Sequence, residues 1–415
     1  MDDWKETEFG RIPAEWGLDR IDNLKSPEKS AVAMGPFGSN IKAENFVNQG
    51  VPVIRGTNLN FDKYVGGDFV FLTEEKADEL KGSNCKAGDL VFTHRGTIGQ
   101  VGLVPAGKYP RYVVSQSGMK LSLDADKIDN QFLFYFFKSR YGQHQLLKSE
   151  AQVGVPSINN PLTSLKEIKV PVPELDEQRA ISSVLSSLDD KIDLLHRQNK
   201  TLEAMAETVW RRWFEEGMSE GEPTAKVGDL VTVKGGTTPS TKIPEFWDGD
   251  INWTSPRDLS NHDSVFLLDT EKKITEKGLA QIGSGLLPPG TVLLSSRAPI
   301  GYLAIAGVPM AINQGYIAIV CDKSVSNYFI YFWVRRTMDA ITNAAHGSVF
   351  PEIPKSTFRS LQVVLPDARA LRQFDGFVGP LFEKIRSNVC QIQALAKMRD
   401  SLLPKLMGGE VRVRS

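Results

Sequence analysis

Two stretches of the chain repeat apolar residues every seven positions, and each follows a long region of short apolar runs broken by turn residues. The first heptad stretch comes after Val170-Pro171-Val172-Pro173 and runs from Glu174 to about Phe214. One seam position holds Ile181, Leu188, Leu195, Leu202 and Val209; the other holds Leu185, Ile192, Asn199, Ala206 and Trp213. The second comes after Val363-Val364-Leu365-Pro366 and runs from Asp367 to about Leu403. Its seam positions hold Phe374, Leu381, Asn388, Leu395 and Leu402, then Val378, Ile385, Ile392, Arg399 and Leu406. This spacing lays apolar side chains along one stripe of a helix, so both stretches are expected to be long helices. Pro404 is expected to end the second, because an interior proline loses a hydrogen bond and clashes with the preceding turn.

The two stretches also repeat each other. A shift of 193 positions carries Pro173 onto Pro366, Leu188 onto Leu381, Lys191-Ile192 onto Lys384-Ile385 and Gln198 onto Gln391, then Leu202 onto Leu395 and Met205 onto Met398. The preceding regions echo as well. Gly88-Asp-Leu-Val-Phe-Thr-His-Arg-Gly-Thr-Ile-Gly99 parallels Gly290-Thr-Val-Leu-Leu-Ser-Ser-Arg-Ala-Pro-Ile-Gly301, and Ser115-Gln116-Ser117-Gly118 parallels Asn313-Gln314-Gly315. Tyr135-Phe136-Phe137 parallels Tyr331-Phe332-Trp333, and Val53–Leu59 weakly parallels Trp253–Leu259. The order is globular, helix, globular, helix. The expected divisions are a first domain at 1–172, a spacer helix and linker at 173–222, a second domain at 223–365, and a second spacer helix with a tail at 366–415.

Two such helices can pack antiparallel about a pseudo-two-fold axis. The expected register sets Leu185 against Leu402, Ile192 against Leu395, Leu195 against Ile392, Leu202 against Ile385 and Trp213 against Phe374. It also brings Asn199 opposite Asn388, and a buried amide pair in an apolar seam fixes register, since a slip leaves an amide without a partner. About 40 helical residues make a rod of roughly 60 Å. Equivalent domains on a rod of that length can enter grooves of a duplex that repeats every 34–36 Å.

Composition and charge narrow the reading less than the repeat does. A chain of 415 residues exceeds one ordinary core. No apolar run approaches the roughly 18 residues a membrane span needs, and the acidic start Met1-Asp2-Asp3-Trp4-Lys5 does not resemble a secretory signal. Cys85, Cys321 and Cys390 are scattered, which fits free thiols and a cytoplasmic location. The net charge of −1 divides unevenly. Residues 173–222 hold 6 basic and 12 acidic side chains, and residues 366–415 hold 9 and 5, so the two helical stretches attract each other. The globular regions hold 21 against 21 and 13 against 12. Charge alone therefore does not identify a nucleic-acid ligand.

The motifs do more. Thr7-Glu8-Phe9-Gly10-Arg11-Ile12-Pro13-Ala14-Glu15-Trp16, then Glu177-Gln178-Arg179-Ala180-Ile181 leading to Leu188-Asp189-Asp190-Lys191-Ile192, then Leu402-Leu403-Pro404-Lys405-Leu406-Met407-Gly408-Gly409-Glu410-Val411 occur in order across the chain. Over nearly its whole length the chain resembles the specificity subunits of Type I restriction–modification systems. The resemblance implies two α/β target-recognition domains separated by two antiparallel coiled-coil helices, each domain reading half of a bipartite site in double-stranded DNA. The helices would set the gap and dock two methyltransferase subunits, with restriction–translocase subunits completing the complex. The second helix departs from the pattern, carrying Asp367-Ala-Arg-Ala-Leu-Arg-Gln-Phe374 in place of Glu-Gln-Arg-Ala-Ile.

No catalytic role or cofactor is expected of the chain itself. Asn159-Asn160-Pro161-Leu162 lacks the second proline and aromatic ring of an adenine methyltransferase pocket, no P-loop occurs, and the five histidines stand singly. A self-sufficient nuclease or methyltransferase with a degenerate site and a two-domain scaffold are the alternatives. Candidate DNA-binding residues come in two groups. The recurring Thr93-His94-Arg95-Gly96-Thr97 and Ser295-Ser296-Arg297, with Gln116 and Gln314, suit turn structure or phosphate contact better than base readout, because they repeat in domains that should read different sequences. Arg55, Asn58 and Arg257 stand at the weakly paralleled positions. Base readers are sought in the loops Gly35–Asn40, Gln152–Ser157, Gly235–Lys242 and His346–Pro351, naming Ser39, Asn40, Ser157, Thr238, Lys242 and Ser348, with Lys355 beyond. The aromatic runs Phe132–Phe137 and Tyr328–Trp333 read as buried helix faces.

Overall fold

The structure is a computed structural model that describes every residue except 1–2, 39, 60–62, 152–153, 218–222, 261, 263, 298, 346–350, 366 and 414–415. It is a mixed α/β chain that divides into two compact units: Met1–Ile192 with Ala394–Ser415, and Asp193–Gln393. The long helices are Leu175–Phe214 and Ala368–Met407, 40 residues each. Each contributes to both units, the first changing over at Ile192 and the second at Gln393.

Unit one holds two four-stranded sheets. The first, in the order Val32–Met34, Gly118–Leu121, Leu90–Thr93, Val101–Leu103, is antiparallel throughout. The second runs Val70–Leu72, Val51–Ile54, Tyr112–Val114, Asn84–Cys85, with a parallel central pair in which Val53 faces Val113. Unit two repeats this plan. Thr232–Lys234, Tyr316–Val320, Val292–Ser296 and Ile300–Ala306 form the antiparallel sheet, extended by Phe266–Leu267; Lys272–Ile274, Trp247–Thr254 and Ala311–Ile312 form the other, again with a parallel pair. Strands such as Leu90–Thr93 and Val292–Ser296 are buried along their whole length, so they read as continuous apolar runs rather than alternating ones.

The aromatic runs occupy helices Asn130–Lys138 and Asn327–Arg336; every residue of Phe132–Phe137 is buried, and of the expected Tyr328–Trp333 run Phe329–Trp333 is buried while Tyr328 is half-buried. Each helix starts at a side-chain cap, Asp129 accepting from the Phe132 N–H and Ser326 from the Phe329 N–H. In each unit this helix packs on the antiparallel sheet and on the long helices in the largest of three hydrophobic clusters among the described residues.

Within unit two the helices pair antiparallel in the expected register near their middle. Asn388, fully buried, donates to Asn199 Oδ1 and Gln198 Oε1, both at 2.8 Å. Within unit one Arg399 bonds the buried Asp189 carboxylate at 2.8 Å. Ile192, Leu195 and Ile385 are buried; Leu188, Leu202, Ile392 and Leu395 are half-buried. Two expectations need correction. Trp213 is exposed, and Phe214 instead packs edge-on against Phe374 with ring centroids 5.2 Å apart. A straight α-helix drifts from a strict seven-residue repeat, so beyond Ala206 the buried stripe runs to Trp210 and Phe214 instead of Val209 and Trp213. Pro404 does not end the second helix, which continues to Met407 because Leu406 and Met407 are buried in the core of unit one. Helical hydrogen bonding resumes beyond the proline, where the Gly408 N–H donates to the Pro404 carbonyl at 3.0 Å.

The motifs Thr7–Trp16, Glu177–Ile192 and Leu402–Val411 meet in unit one, where Gly409 lies against Pro13 and Trp16. Glu177 accepts from the Trp16 indole N–H at 3.1 Å and from Arg412, which also binds Glu15. Gln178, with no exposure, accepts from the Asp129 N–H and donates to the Pro173 carbonyl, both at 2.8 Å. All three cysteines are free. Among the described residues no helix is long and apolar enough to cross a membrane.

Candidate nucleic-acid interface

In each unit several candidate residues stand on one turn and the loops bonded to it, and the two sets share a construction. In unit one the strand Leu90–Thr93 runs into a tight turn. The Thr93 hydroxyl donates to the Thr97 carbonyl and accepts from the Gln100 N–H. In unit two the Ser295 hydroxyl donates to the Pro299 carbonyl and accepts from the Tyr302 N–H, both at 2.8 Å. The spacing from hydroxyl to each partner is the same in both units. Beside these, His94 Nε2 lies 3.2 Å from the Gln116 carbonyl, and the Ser296 hydroxyl donates to the Gly315 carbonyl at 3.1 Å. Burial holds the His94 imidazole below its usual range, so it is neutral and takes part in the turn as a neutral ring.

A second loop joins each turn. The Gly96 N–H donates to the Pro156 carbonyl, and Arg95 pairs with Ser157 as an isolated antiparallel bridge. The corresponding bridge in unit two is Arg297 with Glu352, reinforced by an ion pair at 3.4 Å. A third loop closes on the glutamine segment. At Gly35 a Cβ would stand 1.8 Å from the Ser115 carbonyl oxygen, and at Gly236 a Cβ would stand 1.8 Å from that of Ile312. Only glycine allows the two backbones to approach this far. Next to these roots, Gly38 lies against the Gln116 side chain, while Thr238 donates to Gln314 Oε1 at 2.7 Å.

The weakly paralleled segment is also built twice. Asn58 Oδ1 accepts from the Arg55 N–H at 3.0 Å, and Asp258 Oδ2 accepts from the Ser255 N–H at 2.8 Å. Both cap a short turn that leaves the parallel strand pair.

The sequence-derived residues therefore separate by burial. Asn58, Thr93, His94, Ser295 and Ser296 are buried and occupied by internal hydrogen bonds, so the structure gives them to turn construction and not to an exposed surface. Asn40, Arg95, Thr97, Gln116, Lys242, Arg257 and Gln314 are exposed; Arg55, Ser157, Thr238, Arg297 and Lys355 are half-buried. Arg257 and Arg297 are engaged by Glu271 and Glu352, whereas the Arg95 side chain makes no hydrogen bond or ion pair with the described residues. Lys355 lies across Gly235. Ser39 and Ser348 lie outside the described residues, as do parts of the loops that contain them and the Gln152–Ser157 loop. Sequence reasoning passed over Phe37, set between Pro36 and Gly38 in the first loop, and Glu352, which follows the fourth. The only signal for Phe37 was an apolar ring inside a turn-forming string. Among the described residues no three His, Cys, Asp or Glu side chains form a group able to hold a metal ion.

Comparison with known proteins places this architecture. The profile of the Type I restriction modification DNA specificity domain matches residues 36–204 and again 220–375. The Type I restriction enzyme MjaIX specificity subunit of Methanocaldococcus jannaschii is 26% identical, over 99% of this chain and 97% of its own. The HindI specificity subunit of Haemophilus influenzae is 22% identical, over 85% and 94%. In structure, the Type I restriction–modification S subunit from M. genitalium superposes with a TM-score of 0.59 at 16% identity, covering 94% of this chain and 96% of that one, a likeness of fold.

Proposed function

Because the chain belongs to the Type I restriction modification DNA specificity family, whose role is DNA recognition without catalysis, we propose that each unit reads one half of a bipartite duplex site through this turn and its loops. The observation that supports this reading is the double construction. The two sets have the same buried framework and different exposed tips, which suits two readers of unlike sequences. Arg95, Gln116 and Gln314 would meet phosphates, and Asn40 and Lys242 would meet base edges. Arg257 and Arg297 would have to exchange a carboxylate for a phosphate, which favours an orienting contact over a strong one.

In the same proposal the recognition domains are residues 1–172 and 223–365, and the helices at 173–222 and 366–415 set the unread gap. The partners are two adenine methyltransferase subunits docked on those helices and restriction–translocase subunits, in the cytoplasm. The test is methylation sequencing of a host that expresses this chain with its methyltransferase subunit, against a host lacking the chain. A new methylated-adenine motif of two defined blocks around an unspecified gap is expected. An assembled complex that adds no motif would overturn the proposal and favour a scaffold.

A further inference from the structure

Among the described residues the two most exposed large apolar side chains are Phe37, 78% exposed, and Val155, 56% exposed, and both lie in the candidate loops of unit one. Hydrogen bonds flank Phe37 on both sides. The Gly35 N–H donates to the Gly118 carbonyl at 2.9 Å, the Asn40 N–H donates back to the Phe37 carbonyl at 2.8 Å, and Gly38 rests on Gln116. This segment presents a phenyl ring to solvent. Counting on from the equivalent roots Gly35 and Gly236 places Thr238 where unit one has Phe37. Its hydroxyl is already committed to Gln314. At one point of a shared framework, unit one offers a flat apolar surface and unit two a small polar one.

Resting on the function proposed above, we propose that Phe37 is a specificity-determining residue of unit one that packs against the C5-methyl group of a thymine in the major groove. A phenyl ring has no donor or acceptor with which to read a base edge. The thymine methyl is the apolar feature that the four bases display in that groove, and phenylalanine is among the side chains suited to it. The flanking Asn40 is a polar group of the kind that reads a neighbouring edge, and Gln116 and Arg95 suit phosphate contact, so the ring would supply the apolar part of one mixed surface.

The test uses the full chain assembled with its methyltransferase subunit, and duplexes carrying the methylation motif of the wild type. Each thymine of the motif is replaced in turn by deoxyuridine, which lacks only the methyl group. Wild type should lose about fourfold in affinity at one position, the equivalent of one methyl group taken from water. F37A should bind the thymine duplex more weakly and no longer distinguish thymine from deoxyuridine there, while F37L keeps part of the preference. T238A should keep the full sensitivity at that position. Equal binding of every deoxyuridine duplex by wild type would overturn the proposal. So would an F37A variant that retains the thymine preference, or one that weakens binding to motif and unrelated DNA alike, as a nonspecific wedge or a protein contact would. Melting of F37A should match wild type, since the ring is exposed. Absence of any motif in the wild-type host is a different result, and it strikes the function proposal itself.

Discussion

The two units join their long helices by different chemistry at equivalent places. In unit one the helix offers Asp189, 5% exposed, which accepts from the Tyr135 hydroxyl at 2.6 Å and from Arg399 at 2.8 Å. In unit two the position 193 residues on is Phe382, fully buried, with its ring packed against Tyr328, Tyr331 and Phe332. A buried carboxylate is tolerated only while both partners hold it. An aromatic cluster has no such condition, and it tolerates small shifts because its attraction is spread over many weak contacts. The lesson is that one architecture can be held by a directional joint or a non-directional one. Near the helix starts both units use hydrogen bonds: Gln178 accepts from the Asp129 N–H, and Asp375 accepts from the Ser326 hydroxyl.

The largest expected effect is at the directional joint. Asp189→Ala leaves Arg399 and the Tyr135 hydroxyl without their acceptor and should cost about 3–5 kcal/mol in chemical denaturation. Combining Asp189→Phe with Arg399→Ala imitates unit two, where Phe382 and Ala206 stand at the matching positions, and should recover much of that loss. A cost below about 1 kcal/mol for Asp189→Ala would erase the distinction. Phe382→Ala should cost about 3 kcal/mol, toward the lower end for a buried phenylalanine, because several neighbouring rings can lean into the space. A smaller change is expected at the amide pair. Asn388 Oδ1 is buried without a partner, so Asn388→Leu should raise stability by about 1 kcal/mol while removing the group that specifies register. Denaturation reads the first effect, and a shifted pairing in a crystal structure of the variant would show the second.

The smallest effect separates the two turns by pH. His94 has its folded pKa held down by burial, and its counterpart Ser296 does not titrate. As pH falls below the unfolded histidine value of about 6.5, the unfolded chain takes up the proton first, so stability declines. His94→Gln should flatten that part of the melting-temperature profile between neutral and mildly acid pH. An unchanged slope would show that the imidazole is not held neutral by its surroundings.

Much of this fold was legible because its largest signals are periodic. The heptads located both long helices to within a residue or a turn of their ends, and the repeated strings located equivalent strands. The failures came where geometry accumulates or where burial is decided at long range. Trp213 exchanged places with Phe214 because a small drift per heptad adds up over five of them. Pro404 was read by local cost alone, although Leu406 and Met407 had a core to reach. Thr93 and Ser295 look like surface polar residues in a string of turn formers. Only the folded turn shows both hydrogen-bonding sides of each hydroxyl in use. Gln178, inside a motif read as a family signature, is a buried connector whose partners lie tens of residues away.

The two glycine roots carry a consequence for how such a protein can change. At Gly35 and Gly236 any side chain would collide with the neighbouring backbone, so the base of each loop is closed to variation. A few positions further out, Phe37 touches little and Thr238 gives up one hydrogen bond if replaced. Mutation is thus channelled outward: substitutions that would damage folding are concentrated at the root, and those that fold normally fall at the tip. A lineage under pressure to recognise new sites could sample tips freely while the framework beneath them stays the same.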